Sequence, residues 1–241
     1  MHIFPAIDIL DGKAVRLMQG DYSRQEIFGA DPVEFALQFT SEGARHLHVV
    51  DLNGAKEGKP VNFESIKRIL EATGVFVEYG GGIRNEATVS TLLEIGVSRV
   101  ILGTSALKDK EFTKKMLQVY KEHIAIGVDA RDQKVAIDGW TSTTEIDSVD
   151  FCKEMKDIGA TCIIYTDISK DGTLKGTNLS VYERISQIED IHLVASGGIS
   201  SLYEIEQLKV MGIYAAILGK AIYTNHIDLK EAIRIAEGED R

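Results

Sequence analysis

The chain has 241 residues and a formal net charge of -10. Hydrophobic residues make up 44% of it and only 3 residues are proline, which is typical of a globular protein with a sizeable core and no linker-like segment. The acidic balance disfavours a surface for nucleic acid or an anionic membrane. The start does not resemble a secretory signal and no apolar run is long enough to cross a membrane, so we expect a cytoplasmic protein.

Eight short apolar runs, rich in β-branched residues, predict eight β-strands. In chain order they read HIFPAID, HLHVVDL, VFVEY, SRVILG, HIAIGVDA, TCIIYTD, IHLVAS and YAAILG. The stretches between them have helical periodicity, as at Ile66, Ile69 and Leu70, and several begin with a capping residue such as Asp31 or Asp147. Strands this apolar are buried on both faces, and their strict alternation with helices is typical of a parallel sheet.

The alternation predicts an α/β fold, a (β/α)8 TIM barrel that forms a single domain over residues 1–241. A doubly wound open sheet is the alternative. An internal repeat favours the barrel, because the halves 1–120 and 121–241 share a set of residue pairs at one constant offset, with Asp8 and Asp129 paired at a slightly larger one. The matched pairs are Asp51 with Asp167, Asn62 with Asn178, Gly81 with Gly197, Gly82 with Gly198, Gly96 with Gly212 and Gly103 with Gly219. Two half-barrels related by approximate twofold symmetry are therefore expected.

Glycine-rich segments follow four of the predicted strands. They carry Gly81, Gly82, Gly103 and Thr104 in the first half, and Gly197, Gly198, Gly219 and Lys220 in the second. Glycine after a parallel strand lets backbone N–H groups approach a ligand, and the next helix offers its positive N-terminal end, an arrangement that binds phosphate. A lone glycine pair would indicate only a tight turn, but matched copies favour binding. The sequence therefore predicts two phosphate sites on opposite rims, for one ligand with a phosphate at each end.

Two aspartates end strands that face each other across an eight-stranded barrel. Asp8 ends the first strand and Asp129 the fifth, and catalytic residues of barrels lie at these C-terminal ends. Opposed carboxyl groups can serve as general base and general acid. A single aspartate here would suit a cap or a turn as well, but this pair lies midway between the predicted phosphate sites. Because an acid must hold its proton near neutral pH, we expect a raised pKa for Asp129.

Other polar residues lie near the predicted barrel mouth. The hydroxyl group of Thr166 could position a substrate, and Asp171 lies in the following loop, SKDGTLKG. Trp140 either stacks on a planar ligand ring or packs against the barrel rim. Arg16 and Arg84 lie in or beside mouth loops, where they could bind a phosphate or a carboxamide.

The sequence predicts neither a metal site nor a redox cofactor. His46 and His48 are a close pair without a recognisable third ligand, and His48 is interpreted as structural. Cys152 and Cys162 lack CxxC spacing and a recognisable His and acid partner, so we expect two buried, reduced thiols. The GxGxxG fingerprint of dinucleotide binding is absent from the glycine turns.

Eight motifs are distributed along nearly the whole chain, from Phe4 to about Tyr223. They read PAIDILDGKAVRLMQGDY, HVVDLNGAKEG, EYGGGIRN, VILGTSAL, VDARDQKVAIDGW, YTDISKDGTLKGTN, ASGGIS and AILGKAIY. Together they resemble the ProFAR isomerase family of histidine biosynthesis, the phosphoribosylformimino-aminoimidazole carboxamide ribotide isomerases. The sister family, the cyclase subunit of imidazole glycerol phosphate synthase, usually reads PCLD in the first strand and SIDRDGT after the sixth. This chain has PAID and TDISKDGTL at those places.

The resemblance implies an Amadori rearrangement, in which the aminoaldose end of a small bisphosphate substrate becomes an aminoketose without a metal or cofactor. It implies that Asp8 is the base that moves the proton from C2. Asp129 would be the acid that assists opening of the furanose ring. Thr166 would hydrogen-bond the reacting region, and Trp140 would stack on the imidazole carboxamide.

The resemblance further implies that Arg16 and Asp171 contact that ring or order the loops, and that the glycine loops hold the two phosphates. We expect a monomer. Two alternatives remain: a bifunctional isomerase that also rearranges phosphoribosyl anthranilate for tryptophan synthesis, and a catalytically inactive phosphate-binding barrel. The long first loop, about residues 12–30, is a candidate lid over the site.

Overall fold

The computed structural model describes residues 1–238, and its strands are numbered in chain order. They are β1 (His2–Leu10), β2 (Lys13–Met18), β3 (Asp21–Gly29), β4 (His46–Asp51), β5 (Phe76–Gly80), β6 (Arg99–Leu102), β7 (Ile124–Arg131), β8 (Lys134–Ile137), β9 (Ser142–Asp147), β10 (Cys162–Asp167), β11 (His192–Ser196) and β12 (Ala215–Leu218). Eight of these form a closed parallel barrel in the order β1, β4, β5, β6, β7, β10, β11, β12, and β12 pairs with β1. This closure confirms the predicted (β/α)8 barrel and excludes the open sheet.

Helices follow the barrel strands and cover the outer face of the sheet. They are α1 (Pro32–Ser41), α2 (Leu52–Glu57), α3 (Phe63–Thr73), α4 (Glu86–Glu94), α5 (Thr104–Lys108), α6 (Lys110–Tyr120), α7 (Ser148–Asp157), α8 (Leu179–Ile185), α9 (Leu202–Val210), α10 (Lys220–Tyr223) and α11 (Leu229–Glu237). The predicted caps form: the Asp31 carboxylate accepts from the Val33 amide at 3.0 Å, and Asp147 from the Val149 amide at 2.9 Å. Capping of this kind stabilises a helix by about 1 kcal/mol. No helix within residues 1–238 has both the length and the apolar character needed to span a membrane.

The barrel sheet is buried on both faces, because side chains alternate between an outer and an inner core. Val49 and Tyr79 point outward into the core beneath the helices. Phe4, Ala6 and Ile164 point inward and fill the barrel interior. This packing fills the barrel interior towards the N-terminal ends of the strands, and a cavity opens towards their C-terminal ends.

Two β-hairpins extend from opposite sides of the barrel. Strands β2 and β3 continue β1 in antiparallel pairing, and β8 and β9 continue β7 in the same way. The segment 12–30, predicted as a long loop, is therefore largely a hairpin, since Val15 and Leu17 pack on Leu52 and hold β2 against the barrel. The hairpin tips touch above the mouth: a β-carbon at Gly20 would overlap the ring of Trp140.

Candidate active site

A cavity of about 180 Å³ opens at the C-terminal ends of the barrel strands and adjoins a smaller one of about 20 Å³. The larger cavity is lined by these predicted site residues: Asp8, Arg16, Gly81, Gly82, Arg84, Gly103, Thr104, Asp129, Trp140, Thr166 and Asp171. The smaller is lined by Gly197, Gly198, Gly219 and Lys220, and shares Arg16 and Asp171 with the larger. The fold thus gathers all the residues that the sequence predicted as catalytic or substrate-binding into one continuous site.

Asp8 forms a cluster of charged side chains with Arg16 and Asp171 at one side of the cavity. Strand register places Asp8 beside Val15 on the first hairpin, and the next residue, Arg16, reaches back to it. The Arg16 Nη1 atom lies 3.0 Å from Asp8 Oδ2, and Nη2 lies 3.9 Å from Asp171 Oδ1. Burial opposes the charge of Arg16, but the two carboxylates raise its pKa above the ordinary value. Arg16 is therefore a fixed positive charge beside the Asp8 carboxyl group.

Arg16 also has unused hydrogen-bonding capacity. Within residues 1–238 its buried Nε atom has no hydrogen-bond partner, and Nη1 forms the ion pair with Asp8 without the geometry of a hydrogen bond. Buried donors without partners cost about 1–3 kcal/mol each, and such groups are typical of sites where a ligand completes the hydrogen bonds. The guanidinium group packs directly on Gly219, because a β-carbon there would overlap it. Arg16 can therefore bind an anionic oxygen at the junction of the two cavities.

Asp171 is more than a contact residue. Burial raises its pKa to about 6, and the nearby charges of Asp8 and Asp129 add to this rise while Arg16 opposes it. Its loop packs closely on the first hairpin: a β-carbon added at Gly172 would lie only 2.9 Å from the Leu17 carbonyl oxygen. Asp171 can thus carry a proton near neutral pH. Sequence reasoning gave it only a binding role, because its burial depends on a hairpin far away in the chain.

Asp129 lies on β7 beside Thr166 of β10, its neighbour in register. Burial raises the pKa of Asp129, whereas hydrogen bonds from the Trp140 and Thr166 side chains and the charge of His48 lower it. The net shift is upward, in the direction expected from the sequence. The two hydrogen bonds nevertheless favour the ionised carboxylate, so Asp129 is also suited to binding or orienting a ligand.

Trp140 belongs to a strained turn between β8 and β9. Its φ of 69° follows values of 56° at Asp138 and 64° at Gly139, all in the left-handed region. Backbone strain of this kind is maintained by the surrounding contacts and clusters at ligand sites. The indole ring lines the cavity and packs on Gly20. Of the two interpretations of Trp140, packing at the barrel rim is observed. Because the indole ring also lines the cavity, a planar ligand ring could stack on it.

The glycine loops of the two halves have matching geometry. Gly81 has a φ of 126° and Gly197 a φ of 94°. A β-carbon at Gly81 would overlap the Asp51 carbonyl oxygen, and one at Gly197 would lie 2.6 Å from the Asp167 carbonyl oxygen. Both positions therefore require glycine twice over, for their backbone angle and for close packing. The internal sequence repeat is a repeat of these loop structures.

Asp51 and Asp167 hold the loops together from within. The Asn62 amide donates to Asp51 at 2.7 Å, and the Asn178 amide donates to Asp167 at 2.8 Å. Asp51 also accepts from the Gly54, Val61 and Asn62 backbone N–H groups and from the Tyr79 hydroxyl group. These carboxylates are fully engaged by the protein, which identifies them as supports of the glycine loops.

Acidic residues on both hairpins pair with basic residues at the glycine loops. Lys220 Nζ lies 3.2 Å from Glu26 of β3. On the opposite rim Asp138 lies 2.7 Å from Lys108 Nζ and 4.0 Å from Arg84 Nη2. Glu26, Lys108 and Asp138 were missed by sequence reasoning, since each is a single charged residue whose partner is set by barrel geometry. In this structure each predicted phosphate site has a cation within reach of a hairpin carboxylate.

His48 lines the cavity, with an exposed side-chain fraction of 12%. Its Nδ1 atom lies 2.6 Å from Glu78 Oε1. The sequence interpretation of His48 as structural did not foresee that it lines the cavity, although the alternation that puts it on the same face as Val50 was a usable signal. Within residues 1–238, no group of three His, Cys, Asp or Glu side chains is arranged to hold a metal ion.

Known proteins match this chain over nearly its whole length. A family model described as histidine biosynthesis protein matches residues 2–228. A protein of Ruminiclostridium cellulolyticum is 52% identical over 97% of this chain and 99% of its own length, and one of Clostridium acetobutylicum is 48% identical over 98% and 99%. A protein of Brachyspira hyodysenteriae is 46% identical over 98% and 100%.

All three relatives carry the name 1-(5-phosphoribosyl)-5-((5-phosphoribosylamino)methylideneamino)imidazole-4-carboxamide isomerase. These matches confirm the resemblance given by the motifs and the expectation of an isomerase. The chain belongs to the histidine biosynthesis protein family.

Proposed function

We propose that this protein converts ProFAR into its phosphoribulosyl isomer, PRFAR, by an Amadori rearrangement in the biosynthesis of histidine. The observation that carries the proposal is the position of Asp8 and Asp129 on opposite strands of one cavity, between two glycine loops of matching geometry. A substrate with a phosphate at each end can span such a cavity, and its reacting sugar then lies near the carboxyl groups. The isomerase names of the relatives support the same reaction.

The glycine loops bind the phosphates and thereby fix the substrate. Positive φ angles at Gly82 and Gly198 turn the backbone sharply after β5 and β11. The loops at Gly103 and Gly219 each lead directly into a helix, α5 and α10. Backbone N–H groups at such turns bind anionic oxygens, while Arg16 and Lys220 supply charge on one rim and Arg84 on the other. Holding both ends of the substrate supplies orientation, which accounts for much of the rate of such enzymes.

Asp8 is the base in this proposal. After the furanose ring opens, the aminoaldose is a Schiff base, and Asp8 removes the proton from C2 to give an enolamine. Proton addition at C1 and loss of the proton from the C2 hydroxyl group then yield the aminoketose, so the reaction needs no external oxidant or reductant. Arg16, 3.0 Å from Asp8 Oδ2, fixes the orientation of the carboxylate.

The proton for ring opening has two possible donors. The family resemblance gives this role to Asp129, whereas the pKa of Asp171, raised to about 6 by burial, favours Asp171. Burial also raises the pKa of Asp129, but hydrogen bonds from Trp140 and Thr166 oppose this rise. Among residues 1–238, no such hydrogen bond from a side chain opposes the rise at Asp171. We therefore infer that Asp171 donates the proton and that Asp129 orients the substrate.

A pH profile distinguishes the two donors. If Asp171 is the acid, kcat/KM should be high while its carboxyl is protonated and should fall as the pH rises through about 6. Asp171→Asn should remove this limb and lower kcat about 100-fold or more. Asp129→Asn is the matched control and should keep the limb. A profile in which Asp129→Asn alone loses the limb would return the acid role to Asp129.

Turnover of the purified protein tests the function as a whole. We expect conversion of ProFAR, followed by the change in absorbance when the cyclase and ammonia consume the product. Phosphoribosyl anthranilate is assayed alongside, and its turnover would establish a bifunctional isomerase. Binding of ProFAR without turnover would instead identify a catalytically inactive phosphate-binding barrel.

A further inference from the structure

Three charged or titratable side chains form a row on the inner wall of the barrel. Strand register places His48 of β4 beside Glu78 of β5, and Glu78 beside Arg99 of β6. Glu78 is completely buried, and Arg99 is 4% exposed. Replacing such buried ion pairs with apolar residues is often neutral or stabilising. The row therefore calls for an explanation other than stability, and only His48 reaches the cavity.

The contacts of Glu78 leave it little freedom. Its Oε2 atom accepts from Arg99 Nε at 3.0 Å and from Arg99 Nη2 at 2.5 Å, and its Oε1 atom lies 2.6 Å from His48 Nδ1. The Arg99 guanidinium group is held in turn between two rings, 5.6 Å from the Phe4 centroid and 5.2 Å from the Phe76 centroid. Arg99 thus fixes one oxygen of Glu78 and directs the other towards His48.

The charge of Glu78 determines which nitrogen of His48 carries a proton. Burial alone would raise the pKa of Glu78, but its contacts with His48 and Arg99 outweigh burial and lower the pKa. Glu78 is therefore ionised and can only accept hydrogen bonds. The short contact requires a proton on His48 Nδ1, and Nε2 is left as the nitrogen that is not engaged by Glu78.

We propose that Glu78, anchored by Arg99, is a positioning residue that keeps His48 protonated on Nδ1 and directs His48 Nε2 to a hydroxyl group of the bound sugar phosphate. The identity of the ligand rests on the isomerase function proposed above. The position of His48 favours the reacting region, because its side chain lines the same cavity as Asp8, Asp129 and Thr166. A hydroxyl group can both donate and accept, so it suits this nitrogen in either protonation state.

Two substitutions of His48 separate this role from a structural one. In His48→Gln the amide reaches the former position of Nε2, whereas in His48→Asn it reaches only that of Nδ1 and keeps the contact with Glu78. We expect kcat/KM of His48→Asn to be about 10-fold lower than that of His48→Gln, since a hydrogen bond to the substrate is lost. A His48 that only satisfies Glu78 would give the reverse order, with His48→Asn the more active variant, and this result would overturn the proposal.

The protonation of the ring can be measured directly in the ligand-free protein by ¹⁵N NMR of the histidine side chains. We expect a proton on His48 Nδ1 in the wild type. In Glu78→Gln the amide oxygen is needed by Arg99, so the amide nitrogen faces His48 and should shift the proton to Nε2, with kcat about 10-fold lower.

A wild-type His48 with its only proton on Nε2 would refute the proposal. The wild-type spectrum and the two His48 variants decide the matter even if Glu78→Gln does not fold. Absence of ProFAR turnover by the wild type would count against the proposed function instead, because the NMR measurement uses no substrate.

Discussion

Asp8→Asn is expected to lower kcat about 1,000-fold while leaving the affinity for ProFAR within a few-fold of the wild type. The amide has the shape of the carboxylate but cannot accept the C2 proton, and general bases contribute about 100- to 10,000-fold to a rate. The phosphate contacts lie on other loops and should persist. Single-turnover kinetics and calorimetric binding of ProFAR measure the two quantities separately.

The control for this variant is Asp11→Asn, in the turn that joins β1 to β2. Asp11 is exposed and has a φ of 51°, which asparagine also adopts readily. It should retain full activity. The Asp8→Asn variant leaves Arg16 with one carboxylate fewer. The free energy of unfolding of Asp8→Asn should therefore be compared with that of the wild type. Turnover within 10-fold of the wild type in a folded Asp8→Asn would show that another group removes the proton.

Much of the site could be predicted because its most restrictive positions are glycines. Where the backbone needs a positive φ and has no space for a β-carbon, as at Gly81 and Gly197, only one residue type suffices, and its repetition is visible in the sequence. The paired strand ends at Asp8 and Asp129 are likewise visible as changes from apolar to acidic residues. These features fixed the barrel, its mouth and the two loop pairs.

Side-chain pairings were less predictable because they depend on strand register. Glu78 and His48 lie 30 residues apart, and no periodicity within either strand shows that they are neighbours. The sequence also shows that Asp51 ends a strand, but not that its carboxylate accepts four hydrogen bonds from Gly54, Val61 and Asn62 and a fifth from Tyr79 of β5. The first hairpin was expected as a loop because its tip carries Gly20 and Asp21, which are typical of turns.

Gly81→Ala is expected to have the largest effect among the glycine substitutions, on both stability and binding. The added methyl group would overlap the Asp51 carbonyl oxygen at a φ of 126°. Because hydrogen bonds from the Gly54 and Asn62 backbone N–H groups fix Asp51, Asp51 cannot move away from the added methyl group without straining them. We expect a loss of about 3 kcal/mol in the free energy of unfolding, the sum of backbone strain and overpacking.

Gly96→Ala separates these two contributions. Gly96 has a similar φ of 102°, but a β-carbon there meets no atom within 4 Å. This variant should lose only about 1–2 kcal/mol, from the left-handed backbone alone, and should bind ProFAR as the wild type does. Urea titration of both variants and calorimetric titration with ProFAR supply the comparison.

Equal losses of stability with unchanged affinity would mean that the loop at Gly81 adapts to a side chain, and that glycine is needed there for the turn and not for phosphate binding. A larger loss of stability for Gly81→Ala, together with at least 10-fold weaker binding of ProFAR, would show that close packing of the backbone at Gly81 is needed for ligand binding.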